Sequence, residues 1–230
     1  MKKLFLLAAL MLVFQTAFAK ENISRIISHY NTATEDYTPE SKTQSDTVFA
    51  DLIGFEWAHK SVCALADEGI VSGRCEGVFA PGDNVKIKEF IKLAVLVGGA
   101  YGENFDCDFE KLDKNDWSYT YIASAKNAGM IDFLPYDTDF EQYITREQTA
   151  VISAKALELS GIDTHGVYDD TLFADDDLIN PQNKRYVYAL KNMKILSGFG
   201  DGTFMPSSNL RRCDSAVIIY KVREMLKKSL

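Results

Sequence analysis

Apolar positions along this chain fall into short stretches of helical period separated by polar, glycine-marked turns. From Trp57 to Glu68, the residues Trp57, Ala58, Val62 and Leu65 recur at helical spacing, and Gly69 stands where a C-terminal cap belongs. A second helical stripe follows in Ile87, Phe90, Ile91 and Ala94. It returns as Val151, Ile152, Ala154 and Ala156, and again as Val217, Ile218 and Val222. Thr145 with Gln148 three residues on has the form of a capping box, which predicts a helix start there. Glu76-Gly77 and Asp201-Gly202 mark tight turns, because glycine accepts a positive φ at little cost.

The stripes belong to an internal repeat. Phe49-Ala50-Asp51 aligns with Phe173-Ala174-Asp175, and Ala64-Leu65 with Ala189-Leu190. Ile70-Val71-Ser72-Gly73 aligns with Ile195-Leu196-Ser197-Gly198, and Glu76-Gly77-Val78-Phe79-Ala80-Pro81 with Asp201-Gly202-Thr203-Phe204-Met205-Pro206. A looser middle copy runs through Phe109, Trp117, Tyr121-Ile122, Gly129-Met130-Ile131 and Ile144-Thr145-Arg146. Each copy reads as helix, turn, helix. One such unit has too few apolar residues to bury its own face, so the copies are expected to pack on one another around a shared interior.

The ends and the charge refine this picture. Lys2 and Lys3, an apolar run from Leu4 to Phe14, and Ala17-Phe18-Ala19 have the order of a secretory signal peptide over residues 1–19. The apolar run is well short of the roughly 20 residues a spanning helix needs. Cleavage after Ala19 removes two lysines from 25 basic residues and none from 33 acidic ones, changing the net charge from −8 to −10. A surface so acidic is unlike that of a nucleic-acid binder, and no later stretch approaches membrane-spanning length. Residues 20–46 form a polar head in which Ile23, Ile26, Ile27 and Tyr30 share one helical face. Cys63, Cys75, Cys107 and Cys213 permit two disulfides in an exported chain, or remain buried thiols. They show no C-x-x-C pairing and lie far from His29, His59 and His165, which disfavours a zinc site.

The repeated residues resemble the S-layer homology family: Phe-x-Asp, a tryptophan, Tyr-Val-x-Ala-Leu, Gly-Ile-Val-x-Gly, Asp-Gly-Thr-Phe-x-Pro and Thr-Arg-x-Glu. The third copy carries Tyr186-Val187-Tyr188-Ala189-Leu190, Asp201-Gly202-Thr203-Phe204-x-Pro206 and Arg212-x-Asp214. The second supplies Trp117, Tyr121 and Ile144-Thr145-Arg146-x-Gln148. The resemblance implies a mainly α fold, with three helix-loop-helix repeats at 47–105, 106–165 and 166–230 packed as a pseudo-threefold spindle. It also implies a secreted protein at the cell wall or cell surface, whose inter-repeat grooves bind a secondary wall polysaccharide or modified peptidoglycan. Carried over residue by residue, the ligand set is Arg146, Arg212, Trp57, Trp117, Asp51, Asp175, Gly73 and Gly198, without cofactor or metal.

Several of these residues have a plainer reading as well. Arg146 and Arg212 fall in the first turn of a helix, where the macrodipole disfavours a cation by a few tenths to about 1 kcal/mol. Free backbone amides with a guanidinium fork there could take a carboxylate or phosphate, but an ordinary surface or inter-repeat salt bridge accounts for the arginines equally. The tryptophans serve a core or the apolar face of a sugar, and the glycines serve backbone geometry or the groove. Ile87 replaces the motif arginine in the first copy, Gln182 the tryptophan in the third, and Leu134-Pro135-Tyr136-Asp137 the Asp-Gly-Thr-Phe turn in the second. These departures predict one or two working grooves and keep open a module that binds a surface protein partner instead. No G-x-S-x-G elbow is present and the histidines are isolated, so a catalytic function is not expected.

Overall fold

The computed structural model describes residues 49–165 and 172–229. The signal segment, the head with its apolar face and the junction into the third copy around Asp169-Asp170 lie outside the described residues. Within them are helices α1 (Glu56–Asp67), α2 (Ile87–Gly98), α3 (Tyr119–Asn127), α4 (Arg146–Leu159), α5 (Lys184–Asn192) and α6 (Arg212–Lys228). Short 3-10 turns at Ala50–Leu52 and Asp176–Leu178 precede α1 and α5. The fold is mainly α, as expected, and contains no sheet among the described residues. The capping box at α4 forms: Gln148 donates its amide to Thr145 Oγ1 at 3.2 Å, and the Thr145 amide donates to Gln148 Oε1 at 3.0 Å.

The three second helices, α2, α4 and α6, all touch one another and make the centre. The first helices take the outside by an arrangement the periodicity does not reveal. α1 packs on α6, α3 on α2, and α5 on α4, so each lies on the second helix of the preceding pair and not on its own. The simple helix-turn-helix hairpin expected from the sequence is therefore corrected to a cyclic exchange. Its physical reason is the long, tightly turned connection between the two helices of a pair, which carries the second helix away to the shared centre.

A ring of backbone hydrogen bonds fixes that centre. Val85 donates its amide to Leu210 O (2.9 Å), Leu210 to Ile144 O (3.1 Å), and Ile144 to Val85 O (2.9 Å). All three residues are buried and each stands just ahead of a central helix. Because buried amides must find acceptors, this ring holds the three helix starts in register around a near-threefold axis. Around it, Phe79, Phe90, Phe204, Ile91, Ile122, Ile131, Ile152 and Leu157 are almost wholly buried, each contributing about 1.5–3 kcal/mol by leaving water.

Candidate functional site: the junctions between helix pairs

Each junction is built from a turn of one pair and a helix start of another. In the first pair, Asp51 accepts two consecutive backbone amides, Phe79 N at Oδ1 (2.9 Å) and Ala80 N at Oδ2 (2.6 Å). In the third, Asp175 does the same with Phe204 N and Met205 N, both at 2.7 Å. Ala80 and Met205 have φ of 59° and 56°, left-handed values that cost a residue with a Cβ about 1–2 kcal/mol. The charge-assisted bonds to aspartate hold the turn in that shape. Gly73 and Gly198 close the other side. A Cβ on Gly73 would lie 2.6 Å from Val78 O, and one on Gly198 2.8 Å from Thr203 O, so only glycine lets the two strands of each turn meet.

The braced turns present carbonyls to the next pair. Arg212 donates Nε to Phe79 O and Nη2 to Ser72 O, both at 2.9 Å, while its guanidinium lies 4.7 Å from the Phe79 ring centre. Arg146 repeats the geometry one junction on, donating Nε to Phe204 O (2.8 Å) and Nη2 to Ser197 O (2.9 Å), with Phe199 at 4.7 Å and Phe204 at 5.0 Å. Burial pulls both guanidinium pKa values down, and for Arg212 the neighbouring Arg74 adds to the effect. Both arginines are half-buried and neither has a carboxylate ion pair among the described residues. The salt-bridge alternative is thus replaced by carbonyl clamps, with Nη1 left over.

The helix-start amides differ from expectation. Arg146 N and Glu147 N donate to Ser208 O and Pro206 O, each at 3.0 Å. Arg212 N donates to Asp83 O (2.8 Å) and Cys213 N to Pro81 O (3.1 Å). These amides are spent on locking the pairs together, so an anion here meets side-chain cations rather than free backbone N–H groups.

At the Arg212 junction the parts enclose a cleft of about 200 Å³, lined by Ser72, Gly73, Arg74, Glu89, Lys92, Trp117 and Arg212, among others. Four of the sequence-derived candidates bear on it. Arg212, Trp117 and Gly73 line it, and Asp51 shapes its wall from behind. Trp117 stands just ahead of α3, which packs on α2, with its ring 5.8 Å from Lys92 Nζ and 5.3 Å from Lys88 Nζ. It is 52% exposed, so a ligand can reach its face. The same relation assigns Trp57, 53% exposed on α1, to the Arg146 junction, together with Gly198 and Asp175.

The third junction, where the turn of the second pair meets the start of α2, lacks every one of these features. Ile87 stands in the arginine position, Phe133 in that of Gly73 and Gly198, and Gln182, ahead of α5, in that of the tryptophans. Three departures that seemed scattered, one per copy, converge on a single place. Ion pairs instead tie the start of α2 to the second pair: Lys86 reaches Glu141 at 2.6 Å, and the nearly buried Lys88 binds Asp116 at 2.9 Å and also contacts Glu141. Burial pushes the Asp116 carboxyl up, but the Ser118 hydroxyl and the Lys88 ammonium outweigh it and hold its pKa at about 2.

Residues 48–90 and 173–212 match the S-layer homology domain family. Two regions of the chain, in its first and third helix pairs, are thus similar to the S-layer homology domain. Over 179 residues it is 27% identical to an amylopullulanase of Thermoanaerobacterium thermosulfurigenes, an alignment covering 78% of this chain and 10% of that protein. It is 25% identical over 178 residues to an S-layer protein of Bacillus anthracis, covering 74% of this chain and 19% of the relative. A cellulosome-anchoring protein of Acetivibrio thermocellus is 25% identical over 153 residues, covering 64% and 34%. The chain thus spans between a tenth and about a third of these relatives' lengths. Family and relatives together put the chain at the cell surface.

Sequence reasoning missed Arg74 and Lys92, which the S-layer homology motif does not include, and gave no task to Glu89, the acidic position of Thr-Arg-x-Glu. All four cysteines are free thiols, so neither of the two permitted disulfides forms: Cys63 and Cys213 are buried, Cys107 is half-buried and Cys75 is exposed.

Proposed function

We propose that the chain holds non-covalently to an acidic polymer of the bacterial cell wall, a secondary polysaccharide or modified peptidoglycan, through two of its three junctions. In this reading the middle helix pair is a third, diverged S-layer homology repeat spanning 106–165, between repeats at 47–105 and 166–230. Its support is the backbone ring, in which Ile144 stands equivalent to Val85 and Leu210. Arg212, Trp117 and Gly73 form one groove and Arg146, Trp57 and Gly198 the other. Asp51 and Asp175 act by bracing the turns. What meets at these grooves is guanidinium, ammonium and indole, chemistry that binds an acidic sugar and offers no nucleophile with its base.

The cleft that gathers Arg212, Lys92 and Trp117 carries the proposal. The test is co-sedimentation of residues 20–230 with purified sacculi before and after chemical removal of the secondary polymer. Pelleting that disappears with the polymer is the expected result. Loss of pelleting is also expected for Trp117→Ala combined with Trp57→Ala, two exposed positions whose replacement leaves the core intact. Absence of pelleting by the unaltered chain would overturn the proposal in favour of a protein-binding surface.

A further inference from the structure

The two grooves share their arginine clamp but not their surroundings. Beside Arg212 the cleft adds Arg74 and Lys92; at the corresponding places of the Arg146 junction stand Phe199 and Val217. Arg74 is exposed and its Nη1 lies 2.9 Å from Glu89, which also accepts the Lys86 amide at its other oxygen. Lys92 has no carboxylate partner among the described residues; it rests on the rings of Trp117 and Tyr121, at 5.8 Å from each. The cleft lining therefore holds three cations and one carboxylate, Glu89, with Asp83 outside the lining at 3.8 Å from Arg74 Nε, on a chain whose overall charge is −8. Like charges gathered in a crevice repel one another unless an anion sits among them. The counterpart junction is different: Asp214, in the place of Glu89, is paired with Arg211 at 2.8 Å, and the Phe199 ring centre lies 4.7 Å from the Arg146 guanidinium.

From this contrast, and resting on the wall-binding reading above, we infer that the grooves divide the labour. Arg74 and Lys92 make the Arg212 cleft the one that selects the charged sugar unit, whose substituent is a carboxylate or phosphate. The Arg146 groove, where the exposed ring of Phe199 lies beside the guanidinium, takes an uncharged sugar face by stacking. A guanidinium pair with an ammonium offers convergent donors to either anion, and the indole of Trp117 takes the apolar side of the same ring.

The experiment measures the affinity of the full chain for polymer-bearing sacculi across a salt series. Three samples of wall are used: untreated, carboxyl-reduced by carbodiimide and borohydride, and dephosphorylated with hydrofluoric acid under conditions that keep the polymer attached. The variant Arg74→Phe with Lys92→Val copies the other junction at two solvent-reached positions, and Phe199→Arg with Val217→Lys does the reverse.

For the unaltered chain, one of the two chemical treatments is expected to weaken binding about tenfold, and which one identifies the anion. The Arg74→Phe/Lys92→Val variant is expected to bind untreated wall about tenfold more weakly, with a shallower salt dependence, and to become indifferent to the treatment. The reverse variant should steepen the salt dependence. Equal affinity and salt response in the unaltered chain and the Arg74→Phe/Lys92→Val variant would overturn the inference while leaving wall binding intact. A chain that never pellets would instead overturn the wall-binding reading itself.

Discussion

Replacing Asp175 with alanine isolates the energetics of the braced turn. Its two oxygens hold the amides of Phe204 and Met205, both at 2.7 Å. Phe204 is fully buried, so its amide cannot recover the bond from water and would cost about 1–3 kcal/mol unsatisfied. Met205 is exposed, and water replaces much of its bond, leaving a net loss of about 1 kcal/mol. The left-handed Met205 backbone then loses what held it, so the turn relaxes and the Phe204 carbonyl drifts from Arg146. A total near 3 kcal/mol corresponds to a urea midpoint lower by about 1.5 M, given a slope of about 2 kcal/mol per molar for a domain of this size. Asp175→Asn keeps one acceptor for the buried amide and is expected to lose only about 1 kcal/mol. Asp177→Ala, two positions along and exposed, serves as the control and should stay within about 0.5 kcal/mol of the parent. Urea unfolding followed by circular dichroism reads all three. Midpoints for Asp175→Ala and Asp177→Ala that coincide would refute the bracing role.

Other expectations follow from the same geometry. Gly73→Ala drives a Cβ to 2.6 Å from a backbone oxygen, and the turn must open; a loss of about 2 kcal/mol in urea unfolding is expected, with weakened wall pelleting at unchanged helix content. The ion pair of Lys88 with Asp116 should make stability acid-sensitive. Asp116 titrates at about 2 in the folded state against an ordinary 3.8, so its stabilisation is complete above about pH 4 and fades as pH falls through the folded value. Asp116→Asn should therefore be less stable than the parent at pH 6, by about 2 kcal/mol, and close to it at pH 2; parallel urea curves at both pH values would contradict this. Arg212→Lys keeps the charge but cannot span Phe79 O and Ser72 O together, so it should lose both stability, by about 1 kcal/mol, and wall affinity, read by melting and co-sedimentation.

Much of this architecture is written in the chain at the level of stripes. The helices fall where Val62 and Leu65, Phe90 and Ile91, or Ile218 and Val222 announce them, and the Thr145–Gln148 cap marks the start of α4. What periodicity could not carry is which helix lies on which. The apolar faces of the first helices are nearly interchangeable, so nothing in Ala58 or Val62 distinguishes a place on α2 from one on α6. The same blindness hid the meaning of Ile87, Gln182 and the altered second turn, which read as three separate defects until the cyclic exchange brought them together. Asp51 and Asp175 were visible as repeated residues, but their task was not, because a carboxylate that clamps a turn and one that faces a ligand look alike in a sequence. Arg74 and Lys92 lay in plain view among other surface cations. Comparing the first copy with the third, position by position, would have singled them out, since Phe199 and Val217 bear no charge.

The seating of α1 on α6 has a consequence for how the molecule comes into being. As the chain emerges, α1 has no resting surface until α6, more than a hundred residues later, has also emerged. The first helix pair therefore cannot mature on its own. Closure around the axis arrives in one late step, slowed by the entropy of joining such distant segments. A nascent chain stalled short of Arg212 would leave Val62 and Leu65 uncovered, and with them a sticky surface for any chaperone that patrols the export route.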